Sequence, residues 1–193
     1  MGVLSVLIGL LAYGIYGWQT MTKNIRPHPL SWGMFAFVTG TGFLVQWDQA
    51  AGPGSWVMGV TAVICVVLAL MSVWKGERVF PWYEWAFLIG GAFVFLFYLR
   101  SGNSTLSALL AALVDTIGYG PTVTKAWSRP RTECRICYAL NSAKFLPSLA
   151  AMQTVSFATF FYPIVLILAN AAVVGYLTWR LSKVPKSSSE ITT

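Results

Sequence analysis

The sequence predicts an all-α membrane protein with seven transmembrane helices, and three observations support this fold class. Hydrophobic residues make up 56% of the 193 positions and charged residues only 10%, which is typical of proteins that cross a bilayer several times. The chain divides into apolar runs of membrane-spanning length, and an internal repeat relates its first part to its last. We therefore expect one membrane domain, and we interpret the net charge of +7 as a signal of orientation rather than of nucleic-acid binding.

Apolar runs define the seven predicted helices. The first run lacks the basic segment and the small-residue cleavage site of a signal peptide, so we expect it to be retained as a span. The fifth and sixth runs are the least apolar, and the sixth carries Asn141 and Lys144. After the last run, a polar segment at 183–193 contains three consecutive serines and predicts a disordered cytoplasmic tail. The runs are residues 2–20, 30–47, 54–74, 82–99, 104–124, 135–153 and 157–179.

Basic residues predict the orientation of these helices. Of the 13 Lys and Arg residues, all but Arg100 and Lys144 fall in loops or ends that seven spans would place on one side of the membrane. By the positive-inside rule the N-terminus is then outside and the C-terminus cytoplasmic, in a multi-pass protein of a bacterial inner membrane or a plasma membrane. The basic residues on the cytoplasmic side are Lys23, Arg26, Lys75, Arg78, Lys125, Arg129, Arg131, Arg135, Arg180, Lys183 and Lys186.

Cysteine and histidine usage argues against metal or cofactor chemistry. The three cysteines cannot form a disulfide framework, and Cys65 lies inside an apolar run. Cys134 and Cys137 form one isolated CxxC pair, whereas a closed zinc site needs four ligands. The single histidine, His28, falls in the first basic loop. We therefore expect no metal and no cofactor, and we see no nucleophile–base set that would favour an enzyme.

An internal repeat divides the chain into two triplets of helices. The segment from Tyr16 to Pro27 aligns without gaps on the segment from Tyr119 to Pro130, at an offset of 103 residues. This offset carries spans one to three onto spans five to seven and leaves the fourth span as a linker. Because the triplets share one orientation across the membrane, this is a parallel repeat. The predicted units are a first repeat over 1–81, a linker helix over 82–100 and a second repeat over 101–182.

Three helices, a linker helix and three further helices, with a basic loop after the first span of each half, resemble the PQ-loop superfamily, which includes SWEET sugar transporters, cystinosin and the KDEL receptor. Each copy of the repeat keeps one residue of that family's Pro-Gln pair. The first copy keeps the glutamine, Gln19, but has Trp18 in place of the proline, and the second keeps the proline, Pro121, but has Thr122 in place of the glutamine. The pattern D-x-x-G-x-x-P-T-x-x-K that begins at Asp115 is similar to the second PQ-loop of cystinosin-type proteins and to small bacterial seven-span proteins. The resemblance implies a proton-coupling role for Asp115.

Polar stripes at helical spacing suggest a site inside the bundle. Asp115 falls near the middle of the fifth span, where an acid is costly unless it is protonated, paired or facing a wet cavity. It is therefore either a functional residue or a structural acid that hydrogen-bonds a neighbouring helix. We expect it to pair with Lys144 of the sixth span, either as a structural salt bridge or as a pair broken by protonation or by a solute. Small residues along the same stripe also serve helix packing. The predicted substrate-binding residues are Asn141, Lys144, Asn170, Gln19 and Tyr16, and Asp115 is the predicted proton-coupling residue.

Prolines and the resemblance together imply a mechanism. Pro121, Pro147 and Pro163 should kink or interrupt helices of the second repeat, and the resemblance implies that they act as hinges. The first repeat has no interior proline. The leading prediction is a transporter of a small polar solute, sugar or amino-acid-like, working by alternating access. The alternative is a receptor or sorting protein of the same fold that binds a ligand without moving it. The expected partners are the bilayer and the solute, not nucleic acid, and homo-oligomerisation is left open.

Overall fold

The computed structural model describes residues 1–22, 27–75 and 82–184, which form helices and no strand. The all-helical class is therefore confirmed over this part of the chain. The predicted tail lies outside the described residues from position 185, as do Lys23, Arg26 and Arg78. The helices are α1 (Gly2–Thr22), α2 (Pro29–Asp48), α3 (Trp56–Lys75), α4 (Trp82–Ser101), α5 (Ser104–Gly118), α6 (Gly120–Ser128), α7 (Arg135–Ala143), α8 (Phe145–Ala150) and α9 (Phe157–Lys183), with short 3-10 turns at Gly52–Ser55 and Pro130–Thr132.

Four helical segments are long and apolar enough to cross a membrane, which confirms the prediction of a membrane protein. They are Gly2–Thr22, Gly52–Trp74, Ser104–Ser128 and Phe157–Lys183. A shorter apolar helix covers Trp85–Ser101. Large apolar side chains on these helices remain exposed, as a lipid-facing surface requires. The second and sixth predicted spans are helical but do not meet this length and apolarity, so the count of seven spans stays a prediction.

Proline explains where two of the predicted spans divide. Proline lacks the N–H that would bond the carbonyl four residues earlier. Pro147 therefore leaves the Ala143 carbonyl without its helical donor, and the sixth span divides into α7 and α8 at Lys144. The fifth span divides at Tyr119, just before Pro121. Two of the three predicted hinge prolines thus follow real helix breaks, and one of the breaks lies at the predicted site lysine.

Pro163 lies inside α9, which continues unbroken to Lys183. The carbonyl that this proline deprives of a donor belongs to Thr159, four residues earlier. The side chain of Gln46 on α2 supplies the missing donor, with Gln46 Nε2 3.0 Å from the Thr159 oxygen. Gln46 is 2% exposed, and this hydrogen bond joins α2 to α9.

The helices pack in two groups of the same internal order. Within the described residues, α3 lies between α1 and α2, whose backbones do not approach each other closely. In the same way α9 lies between α5 and α7, whose backbones do not approach each other closely. Between the groups, α1 packs against α7 and α8, and α2 packs against α5. Helix α4 packs against α2 and α5.

The bundle has two ends with different chemistry. At the first end the loop after α2 contacts α8 and the segment that follows it. Ser148 Oγ of α8 donates to the Gly54 carbonyl at 2.7 Å, and the Gln153 N–H donates to the Ala51 carbonyl at 3.1 Å. At the second end Arg180 Nε donates to the Trp127 carbonyl at 2.9 Å. Four of the arginines that were predicted to be cytoplasmic lie in the segments at this second end, namely Arg129, Arg131, Arg135 and Arg180.

Asn103 caps α5, as expected for an Asn placed directly before an apolar run. Its Oδ1 accepts a hydrogen bond from the Leu106 N–H at 3.0 Å. We expect Asn103→Ala to lower the free energy of unfolding by about 1 kcal/mol, because an N–H of the first turn then loses its acceptor. Asn103→Asp keeps the accepting oxygen and serves as the control. Chemical denaturation in mild detergent measures both, and equal losses for the two variants would contradict the capping role.

Candidate functional site

Lys144 is the centre of the candidate site. Its side chain is 1% exposed and lies at the joint between α7 and α8. The ammonium donates to the Tyr13 hydroxyl of α1 at 3.1 Å and to the Thr61 hydroxyl of α3 at 2.9 Å. It also lies 4.5 Å from the centre of the Tyr13 ring and 4.9 Å from that of Phe145, within the range of a cation–π contact. Both hydrogen-bond partners are neutral, so the lysine charge has hydroxyl and ring partners rather than a carboxylate.

Asp115 lies on α5 and is also 1% exposed. Its Oδ2 atom has no hydrogen-bond partner. The Tyr162 hydroxyl of α9 lies close enough to interact with this carboxyl, but the hydroxyl completes no hydrogen bond either. Gly42 permits the Tyr162 ring to reach this position, since a Cβ at Gly42 would lie 2.6 Å from the ring.

The predicted salt bridge between Asp115 and Lys144 is wrong. The two side chains affect each other electrostatically, but the lysine donates to Tyr13 and Thr61 instead. The physical reason is the break at Lys144, together with the close approach of α1. Gly9 faces the lysine stem, where an added Cβ would lie only 3.4 Å from Lys144 Cδ. The lysine side chain therefore extends towards the first group of helices.

The surrounding side chains complete a central polar cluster. Cys65 of α3 lies beside Tyr13 and beside Thr39 of α2, and both Lys144 and Asp115 act on it electrostatically. The first group of helices supplies polar side chains from α1, α2 and α3. The second group supplies them from α5, from the joint of α7 and α8, and from α9. We define the central polar cluster as Tyr13, Thr39, Thr61, Cys65, Asp115, Lys144 and Tyr162.

The other predicted binding residues divide between this cluster and its surroundings. Asn141 lies one turn before Lys144, and its Oδ1 atom is buried without a hydrogen-bond partner. Asn170 is 4% exposed and lies beside Tyr119, while its Nδ2 donates to the Leu166 carbonyl of its own helix at 2.8 Å. Both amides thus belong to the interior of the bundle.

Tyr16 and Gln19 lie farther along α1, towards the second end. The Tyr16 ring packs against Trp32 at 5.0 Å between centres. Gln19 lines a shallow groove on the outer surface of α1, together with exposed Leu10, Leu11 and Trp18. The structure therefore brings Gln19 to the lipid-facing side of the helix rather than to the central polar cluster.

Aromatic rings connect the central polar cluster to the second end. They form a chain of contacts in which neighbouring centres lie 5.0 to 6.4 Å apart. The rings come from α1, from the first turns of α2, from the end of α5 and from the start of α7. We call this chain the aromatic arc, formed by Tyr13, Tyr16, Trp32, Phe35, Tyr119 and Tyr138.

Sequence reasoning missed several members of the cluster. Tyr13 precedes Tyr16 by three residues, so helical spacing places it on the same face of α1 as this predicted binding residue. Thr61 and Cys65 are four residues apart on α3 and form a polar stripe that could also have been found. Tyr162 carried no such signal beyond its position next to Pro163.

The isolated CxxC pair forms a disulfide between Cys134 and Cys137 at the start of α7, which sequence reasoning did not predict. Cys65 is a free thiol. In the described part of the chain no group of three His, Cys, Asp or Glu side chains is placed to hold a metal ion.

Comparison with known proteins adds no assignment. No family model, curated protein or solved structure matches this chain.

Proposed function

We propose that this protein is a membrane transporter that moves a small polar solute by alternating access past the central polar cluster. The observation that carries the proposal is the composition of that cluster. Ionisable side chains inside a membrane domain are costly, so Asp115 and Lys144 together indicate a functional site. Transporters built from repeats bind their substrates near the bilayer midplane, between the repeats. The cluster combines side chains from both groups of helices in this way.

The packing of the helices supports a repeat of three, one and three. In this repeat α1, α2 and α3 of the first group correspond to α5, α7 and α9 of the second. The contact between α1 and α7 then corresponds to the contact between α5 and α2, and the central position of α3 corresponds to that of α9. A parallel repeat related by an axis along the membrane normal has this pattern. Helix α4 has no counterpart in either group, as expected for a linker helix. This arrangement allows one group to rock against the other around a fixed site.

Asp115 is the proposed proton-coupling residue. Its buried Oδ2 has no partner, so the group can accept a proton without breaking a hydrogen bond at that atom. Lys144 lies near enough to influence its charge but is not bonded to it. Protonation of Asp115 would change the net charge of the central polar cluster, which would couple the proton to the solute.

Solute counterflow in liposomes tests the proposal. Purified protein is reconstituted and assayed with labelled sugars, amino acids and nucleosides, with and without a pH gradient. We expect saturable counterflow of at least one class, with the rate reduced at least tenfold by Asp115→Asn. The matched control is Asp48→Asn, because Asp48 lies at the first end, where it accepts a hydrogen bond from Tyr98.

Two outcomes would contradict the proposal. Equal rates for Asp115→Asn and Asp48→Asn would remove Asp115 from the mechanism. Saturable binding in detergent without any counterflow would instead favour a receptor or sorting protein. Size-exclusion profiles of each variant show whether a loss of flux reflects a loss of folded protein.

A further inference from the structure

We infer that the central polar cluster binds a small zwitterion, with the carboxylate of the solute on Lys144 and its ammonium on Asp115. The inference rests on the proposed function for the role of the cluster, and it names the substrate class. The starting observation is that an acid and a lysine, Asp115 and Lys144, are each 1% exposed and are not bonded to each other. Ionising both groups is costly for the protein alone, because neither would have a charged partner.

Lys144 retains the capacity to bind an anion. A lysine ammonium has three N–H donors, and the structure assigns two of them to the hydroxyls of Tyr13 and Thr61. These hydroxyls orient the ammonium but leave its charge uncompensated. A solute carboxylate can take the third donor and supply the missing negative charge, as a charge-assisted hydrogen bond.

Asp115 retains the capacity to bind a cation. Its Oδ2 atom accepts no hydrogen bond, and a carboxylate oxygen is a strong acceptor for an ammonium. Two further unpaired groups of the interior, Asn141 Oδ1 and the Tyr162 hydroxyl, can accept from or donate to the same solute. Buried polar atoms without partners are rare in folded proteins, and here they come from α5, α7 and α9.

Comparison of solute classes favours a dipolar ion. A neutral sugar would compensate neither charge. A simple carboxylate would pair with Lys144 and leave Asp115 uncompensated, while a simple amine would do the reverse. A zwitterion pairs with both side chains and brings no net charge into a region of low dielectric constant.

Ligand binding to the full-length protein in mild detergent tests the inference. The probes are glycine and the other nineteen common amino acids, added singly, with glucose as the neutral comparison. A ligand that binds the folded state raises the thermal midpoint, and calorimetric titration then gives its affinity. For the tightest amino acid we compare the amide, which lacks the carboxylate, and the hydroxy acid, which lacks the ammonium. We expect both analogues to bind at least tenfold more weakly than the amino acid.

Two variants assign the poles of the solute. In Lys144→Met the amide should bind as well as the amino acid, because no cation remains to prefer the carboxylate. In Asp115→Asn the hydroxy acid should bind as well as the amino acid. Asp48→Asn should keep the full preference for the zwitterion. A merely structural role of either residue would change the overall affinity but would leave these preferences intact.

The inference and the proposed function can fail separately. Binding of glucose but of no amino acid, or equal binding of the amino acid and its two analogues, would overturn the zwitterion site. Absence of binding by every amino acid would overturn it too. Zwitterion binding without counterflow would keep the site and overturn the transporter, whereas counterflow of a sugar without zwitterion binding would do the opposite.

Discussion

Replacing Lys144 by alanine should lower the free energy of unfolding by roughly 2–5 kcal/mol, the range for truncation of a large buried side chain. The lysine stem fills space between α1 and α3 and the joint of α7 and α8, where the side chain is 1% exposed. Alanine would leave a cavity there. It would also leave the hydroxyls of Tyr13 and Thr61 without the donor that they accept from.

Lys144→Met separates the packing of this side chain from its charge. Methionine keeps most of the volume, and swaps that conserve volume usually cost less than about 1.5 kcal/mol. It also removes the cost of burying a charge that has no carboxylate partner, which offsets the loss of the donor to the Tyr13 and Thr61 hydroxyls. We therefore expect Lys144→Met to unfold close to the wild-type midpoint, although it loses the preference for a carboxylate.

Thermal unfolding in detergent distinguishes the two variants. The exposed Leu146, two residues later, provides the control, because Leu146→Ala should change the free energy of unfolding by less than about 0.5 kcal/mol. If methionine destabilised the protein as much as alanine, the charge itself would stabilise the fold. Lys144 would then be a structural residue rather than a binding residue.

The charged residues of the site could be predicted from the sequence, but most of their neighbours could not. An acid and a lysine within apolar runs are conspicuous in any membrane protein, so the sequence predicts Asp115 and Lys144 as site residues. Their relative placement was wrong because helical spacing describes one helix at a time. Whether Lys144 reaches α5 or α1 depends on the break before Pro147 and on the space that Gly9 leaves, and both are tertiary effects.

Some features of the fold are likewise set by local sequence, whereas others are set by packing between helices. Each predicted apolar run that the structure describes is helical, because the length and composition of a run are local properties. The helix breaks follow from Pro121 and Pro147, whose effect is also local. The order in which α3 lies between α1 and α2 is set by packing between helices, and the disulfide of Cys134 requires a close approach of its partner. No local sequence pattern encodes this order of helices, whereas the pair of Cys134 and Cys137 is itself visible in the sequence.

Gln46→Leu should lower the free energy of unfolding by about 1–3 kcal/mol, because it removes the donor from a buried carbonyl. The carbonyl belongs to Thr159, and Pro163 is the reason that it needs a donor from another helix. The effect should therefore depend on the proline. In Pro163→Ala the residue at position 163 has an N–H that can bond the Thr159 carbonyl within α9, so Gln46→Leu should then cost much less.

A double-mutant cycle of Gln46→Leu and Pro163→Ala measures this dependence. Polar contacts between membrane helices give coupling free energies of roughly 0.6 kcal/mol on average and up to about 1.7 kcal/mol, and we expect a value towards the upper limit. Gln49→Leu provides the control, because Gln49 lies near Gln46 but bonds to Ser104, and it should show no coupling to position 163. Additive effects of Gln46 and Pro163 would refute the explanation. Coupling would show that the second group of helices keeps an unbroken α9 only while it is bonded to the first. Under the proposed function, rocking one group of helices against the other would break this hydrogen bond, so the bond between Gln46 and the Thr159 carbonyl would link the stability of α9 to the motion.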